Sequence, residues 1–207
     1  MAASLTVEIV SDVICPWCYI GKRRFEKARQ AVAGELDLQV LWRPFQLNPD
    51  MPRAGMPRAD YRRAKFGSVE RARQLDARVA AEGAGEGIAF AFDRMQRTPN
   101  TLAAHQLIDV AQKQGAGTAV VDALFRAYFE EARDVGDASV LQEIAAACGV
   151  AGWPAQANEA EVAALEESFR GLGISAVPTF VIDRKFGVSG AQPPEALAAA
   201  LCEGAAR

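Results

Sequence analysis

Two cysteines separated by two residues, Cys15-Pro16-Trp17-Cys18, are the side chains in this sequence best placed to do chemistry. They follow an apolar run, Leu5 to Val10 and then Ser11-Asp12-Val13-Ile14, and they precede a helical pattern. A dithiol where a strand hands over to a helix suits thiol–disulfide exchange, because the dipole and unpaired N–H groups of a helix N-terminus favour a thiolate. Pro16 fits this placement, since the first helical position tolerates a missing N–H. Zinc is the rival ligand for a cysteine pair, but a structural zinc site takes four protein ligands. Here there is one pair, one distant histidine, His105, and two scattered cysteines, Cys148 and Cys202, so no metal is predicted. Cys148 and Cys202 stand in alanine-rich segments and read as small core residues. His105, among Leu102, Ala104 and Leu107, reads either as a helix-packing residue or as a pocket residue facing Cys15. Asn100 reads either as a helix cap or as a second pocket residue.

The elements that must position the cysteines follow from periodicity. Leu5, Val7 and Ile9 alternate with Thr6 and Glu8, predicting a strand over residues 4–10. Trp17, Ile20, Phe25, Ala28 and Val32 recur at helical spacing, with Gly34 as the expected stop. Leu36 to Trp42 alternates again, completing a βαβ unit. Prolines 44, 49, 52 and 57 with Gly55 mark a loop. Alanine-rich helical patterns then cover 60–82, 101–114, 118–131, 139–147 and 159–170. Ser139 with Gln142, and Asn158 with Glu161, stand at capping-box spacing. After Gly173 the strand signature returns as a hairpin, Thr179–Ile182 and Phe186–Ser189 about a turn at Asp183-Arg184-Lys185. A helix from Pro194 to Cys202 closes the chain.

The 207 residues are 50% hydrophobic and 24% charged, which fits an ordinary globular protein with ample core. A net charge of −3 and a pI near 5.4 give no electrostatic case for nucleic acid or an anionic membrane as partner. Basic residues at Lys22-Arg23-Arg24 and between Arg53 and Arg78 are interleaved with Glu26, Asp60, Glu70 and Asp76, and read as solvated helix faces. No apolar run approaches the ~20 residues of a membrane span, and Met1 to Thr6 has no leader-like pattern. The expected compartment is therefore the cytoplasm, where thiols are kept reduced. A cysteine pair there reads as catalytic or metal-binding.

Strand, Cys-x-x-Cys on a helix N-terminus, strand, then Val177-Pro178 before a hairpin and a last helix is the element order of the thioredoxin fold. The chain resembles its DsbA-like branch, and most of all the FrnE-type subfamily. The likeness is carried by Ser11 to Arg23, Trp42-Arg43-Pro44-Phe45-Gln46-Leu47, Pro99-Asn100-Thr101 with Ala104-His105, Val177-Pro178-Thr179-Phe180-Val181-Ile182, and Ser189-Gly190-Ala191-Gln192. It implies an α/β thioredoxin-like domain, residues 1–57 and 173–207, carrying an inserted all-helical domain, residues 58–172. It also implies a cis bond at Val177-Pro178 that turns the backbone of Val177 toward the cysteines for substrate or glutathione to pair with.

Within that frame Cys15 is expected to attack, and Cys18, one turn into the helix, to resolve the mixed disulfide. Pro16 and Trp17 tune the potential within a known spread of roughly −270 to −120 mV. Two departures stand out. Many thioredoxin-like proteins carry a buried acid six residues before the first cysteine, and here that position is Ile9. Glu8, Asp12 or water must then serve Cys18. The residue before the second cysteine, His in strongly oxidising DsbA proteins, is Trp17.

The leading expectation is a thiol–disulfide oxidoreductase or isomerase acting on protein, peptide or small-molecule disulfides or dithiols. No cofactor is bound, and glutathione or a thioredoxin system supplies reducing equivalents. One alternative is a glutathione-dependent isomerase or transferase, since 2-hydroxychromene-2-carboxylate isomerases and kappa-class glutathione transferases resemble this architecture, usually with Ser where Cys15 stands. Another is a thiol-dependent chaperone or binding module. Phe66, Phe90, Phe92 and Met95 are expected to be exposed, as a substrate groove or as the seam of a homodimer.

Overall fold

The computed structural model describes residues 3–206. Met1 and Ala2, part of the opening stretch read for a leader, and Arg207 lie outside them. Strand β1 (Ala3–Ser11), helix α1 (Pro16–Ala31) and strand β2 (Leu36–Pro44) form the opening βαβ unit, with β1 and β2 parallel from Ala3↔Leu36 to Ser11↔Pro44. Helix α1 ends before Gly34. Its C-cap is Val32, whose backbone N–H already reaches the carbonyl of Ala28, so no left-handed residue is needed there.

Strand β3 (Met56–Pro57), helices α2 (Arg58–Phe66) and α3 (Val69–Gly85), and strand β4 (Arg97–Thr98) come next. Helices α4 (Leu102–Lys113), α5 (Gly117–Phe129), α6 (Ala138–Ala147) and α7 (Glu159–Gly171) follow. The single helix expected over 60–82 is two. Gly67 takes a left-handed φ of 82°, and the hydroxyl of Ser68 accepts the N–H of Arg71 to start the second. Helix α6 is capped by Asp137, not Ser139. The carboxylate two residues upstream accepts the N–H groups of Ser139 and Val140 and also the Ser139 hydroxyl, at an end of the helix that favours negative charge. Asn158 caps α7 through the N–H of Glu161, as its spacing predicts.

Strands β5 (Thr179–Ile182) and β6 (Phe186–Ser189) and helix α8 (Pro194–Ala206) complete the fold. The hairpin turns through Asp183 and Arg184, both left-handed, closed by the N–H of Lys185 on the carbonyl of Ile182. The sheet runs β2-β1-β5-β6, with β5 antiparallel to both neighbours.

One apolar core runs from Leu5, Val7 and Ile9 of the sheet through Phe25 of α1 to Leu107, Leu124 and Phe125 of the helical block. The other face of the sheet is covered by a smaller cluster of Val10, Phe45, Phe169 and Val181. Two polar straps fix the helical block to the sheet. The backbone N–H of Trp42 donates to Gln112 at 2.6 Å, and its indole N–H donates to Thr118 at 3.0 Å. From α1, Tyr19 stacks on Phe125 with ring centroids 5.0 Å apart, and its hydroxyl donates to Glu130. Burial and that carboxylate push the Tyr19 phenol up to about 12. The helix that carries the cysteines is thus clamped between sheet and helical block. Met95 is buried and Cys202 exposed, the reverse of what their local patterns suggest, while Phe90 and Phe92 stack on each other and meet the edge of Phe129.

Candidate active site

Cys15 is the N-cap of α1, with an extended backbone (φ −90°, ψ 112°), and Pro16 occupies the first helical position. The turn that delivers it is closed by the N–H of Cys15 on the carbonyl of Asp12 at 3.0 Å. The carbonyl of Cys15 in turn accepts from Cys18 and Tyr19. The sulfur therefore sits where a helix end stabilises negative charge. Its thiol donates to the carbonyl of Val177 at 3.7 Å, and the Val177-Pro178 peptide is cis, as the resemblance implies. Loop and helix approach closely at Gly21, where a Cβ would stand 2.8 Å from Cγ of Pro178.

Cys18 is buried one turn further on, and all four cysteines are free. Burial pushes the Cys18 thiol well up, and the neighbouring Cys15 sulfur adds to this. The Ser11 hydroxyl and the Asp12 backbone N–H oppose it without cancelling it. The arrangement therefore sets one sulfur at the helix end beside an open cleft and holds the other behind it as a thiol.

Asp12 is fully buried. One carboxylate oxygen accepts the N–H of Leu47 at 2.8 Å, and the other lies 3.4 Å from Nε2 of His105. Glu8 is committed elsewhere. Burial raises its carboxyl, but Arg184 and Arg43 outweigh that and hold it below the usual carboxylate range. Asn100 does not reach the cysteines. Its amide donates to the carbonyl of Met51 and accepts the N–H of Leu102, beside a separate hollow with Arg53, Arg97 and Asp134. Trp17 is 40% exposed at the mouth of the site.

A cleft of about 260 Å³ opens beside Cys15, Pro16 and Trp17. Tyr61, Phe66, Phe92 and Tyr128 form aromatic walls, and Arg58, Arg62 and Lys65 line it with positive charge. Asp76 answers Arg58 and Arg62 together, at 3.4 and 2.6 Å, so the cationic groups outnumber their counter-charge. Arg58 and Arg62 are only 12% and 13% exposed, stacked over Phe92 and Phe66. They are not part of the solvated face that the alternation of charges suggests. Among the described residues, no three His, Cys, Asp or Glu side chains are grouped to hold a metal ion, and no helix is long and apolar enough to cross a membrane.

This is a thioredoxin-like fold with a dithiol at the N-terminus of its first helix and an X-cis-Pro loop against the leading cysteine. Residues 6–202 match the DSBA-like thioredoxin domain, and the chain belongs to that family. A probable DsbA oxidoreductase of Streptomyces coelicolor is 36% identical and superposes with a TM-score of 0.88, over 97% of this chain and 89% of that one. The uncharacterized protein YwbO of Bacillus subtilis is 27% identical over 183 residues, 85% of this chain and 86% of that protein. The cytosolic disulfide reductase DsbM of Pseudomonas aeruginosa has the same fold, with a TM-score of 0.66 at 21% identity over 96% of this chain and 97% of that one.

Proposed function

We propose that this protein is a cytoplasmic dithiol–disulfide oxidoreductase or isomerase of the FrnE type, working through the Cys15–Cys18 pair. The observation that carries this reading is the Cys15 thiol at the α1 N-cap, against the carbonyl of Val177, with the buried Cys18 one turn behind it. Cys15 attacks a substrate disulfide, one substrate thiolate leaves, and a mixed disulfide remains. Cys18 then attacks the Cys15 sulfur, closing the intramolecular disulfide and releasing the second thiolate. Two electrons pass from the dithiol to the substrate, and the reverse sequence oxidises a substrate dithiol. Val177 and Pro178 line up the incoming chain beside Cys15.

The cationic, aromatic cleft favours substrates that carry carboxylates next to the disulfide. Acidic peptides and glutathione disulfide meet that description, and glutathione or a thioredoxin system restores the dithiol. DsbM, of the same fold, has a structure with GSH. The test is turnover of a peptide disulfide and of glutathione disulfide by the wild type, Cys15→Ser and Cys18→Ser. Redox turnover requires both cysteines. Activity that survives in Cys15→Ser would overturn the reading in favour of glutathione-dependent isomerisation, or of holding unfolded chains without redox chemistry.

A further inference from the structure

The redox cycle requires a base for Cys18, and the position that holds an acid in many thioredoxin-like proteins is Ile9, buried in the core. Behind the cysteines, two buried polar atoms face each other with no hydrogen-bond partner among the described residues. They are the second carboxylate oxygen of Asp12 and Nε2 of His105, 3.4 Å apart and not aligned to bond. Asp12 is fully buried and His105 is 4% exposed. An unsatisfied buried carboxylate oxygen or imidazole nitrogen each costs on the order of 1–3 kcal/mol, so two side by side call for a reason.

Their surroundings supply one. The Asp12 backbone N–H and the Ser11 hydroxyl lie near enough to the Cys18 sulfur to oppose the upward push on its thiol, and the Asp12 carbonyl accepts the N–H of Cys15 at 3.0 Å. Ser11 and His105 also line one narrow hollow of about 10 Å³, at the lower bound of the space a single water needs. Cys18, Ser11, Asp12 and His105 are all buried, with Ser11 and Asp12 next to the Cys18 sulfur and His105 next to Asp12.

We infer that Asp12 and His105 together are the proton acceptor for Cys18. This rests on the redox reading above. When Cys18 resolves the mixed disulfide, its S–H proton passes by way of Ser11 to the His105 imidazole, and the charge that forms there faces the Asp12 carboxylate. The Cys18 thiolate attacks the Cys15 sulfur, the S15–S18 bond forms, the bond from Cys15 to substrate breaks, and the substrate leaves as a thiolate that takes up a proton. The imidazolium returns its proton to solvent, or to Cys18 when the disulfide is reduced again. The other titratable and charged groups around the pair are accounted for. Cys15 is the partner sulfur, Arg43 is paired with Glu8, Asp109 with Lys113, and Glu166 with Arg170. Burial holds the Tyr128 phenol far above neutrality.

The test uses reduced full-length protein and the disulfide 5,5′-dithiobis(2-nitrobenzoate). The first thionitrobenzoate released reports attack by Cys15, and the second reports resolution by Cys18. In Asp12→Asn and His105→Gln the first phase should hold its rate. The second should slow by about 100-fold near neutrality, lose its inflection with pH, and recover only when the solution is basic enough to ionise Cys18 directly. A second phase with wild-type rate and pH profile in both variants would overturn the inference. If wild-type protein releases no second equivalent, the redox reading itself fails. A measurement without substitution guards against misfolding. His105 is the only histidine, so its imidazole resonance is unambiguous, and its titration should shift between dithiol and disulfide forms. An identical titration in both forms contradicts the proposal.

Discussion

The Cys15 thiol donates to the carbonyl of Val177 across 162 positions of sequence, at 3.7 Å. That contact joins the N-terminus of α1 to the loop that leads into β5, beside the cleft. Cys15→Ser should reduce disulfide turnover to background. Cys18→Ser should still be attacked by substrate disulfide but stall as a mixed disulfide, one substrate thiol heavier by mass spectrometry of acid-quenched protein.

Gly21 is where α1 meets the Pro178 loop. Alanine in a helix interior is ordinarily worth about 1 kcal/mol over glycine. At Gly21, however, the added methyl would stand 2.8 Å from Cγ of Pro178, a ring that cannot swing aside. Overpacking of this kind costs about 1–3 kcal/mol, so Gly21→Ala should lower thermal stability and also kcat/KM. At Gly85, at the end of α3, a Cβ meets nothing within 4 Å. Gly85→Ala should leave activity intact and raise stability by up to about 1 kcal/mol.

Glu8 and Glu166 should set the acid limit of stability. Burial raises the Glu166 carboxyl, but the side-chain amide and backbone N–H of Gln46 and then Arg170 outweigh it, so both glutamates titrate below 4.5 when folded. Each is more acidic folded than unfolded. Their contribution is therefore complete above about 4.5 and is lost as pH falls through the folded values. Urea midpoints across acid pH should fall in that window. Glu8→Gln should flatten part of the fall and cost about 3 kcal/mol at neutral pH, by leaving Arg43 without its buried partner.

The charge of the cleft should be read by substrate rather than by stability. Arg58→Gln should raise KM for glutathione disulfide roughly tenfold, the worth of one charge-assisted hydrogen bond, with kcat nearly unchanged. A neutral disulfide of similar size should show little difference. Added salt should weaken the preference in the wild type and less so in the variant.

Much of this was legible in the sequence. The cysteine spacing, the alternation of Leu5, Val7 and Ile9, and the Asp183-Arg184 turn are local signals, and each element they predict is present. The cis bond at Val177-Pro178 was available only by likeness to a family, since nothing local marks it. What stayed hidden depends on tertiary placement. Arg58 and Arg62 read as solvated because acids interleave them, yet Phe66, Phe92 and Asp76 enclose them. Asp137 caps α6 because its carboxylate accepts the N–H groups of Ser139 and Val140, which places Ser139 inside the helix, and the Ser139 hydroxyl donates to that same carboxylate. Cys202 is exposed because α8 runs on to Ala206 with Leu197 and Leu201, not Cys202, facing the core. The approach of His105 to Asp12 joins a helix and a strand end 93 positions apart, a pairing that no periodicity encodes.

The most direct test of the account is the equilibrium of the Cys15–Cys18 pair in glutathione buffers of defined poise, followed by the fluorescence of Trp17. The account predicts one cooperative transition between dithiol and intramolecular disulfide, with a potential between roughly −270 and −120 mV, and its loss in Cys18→Ser. A pair that stays reduced across that range while glutathione binds without forming a disulfide would contradict it.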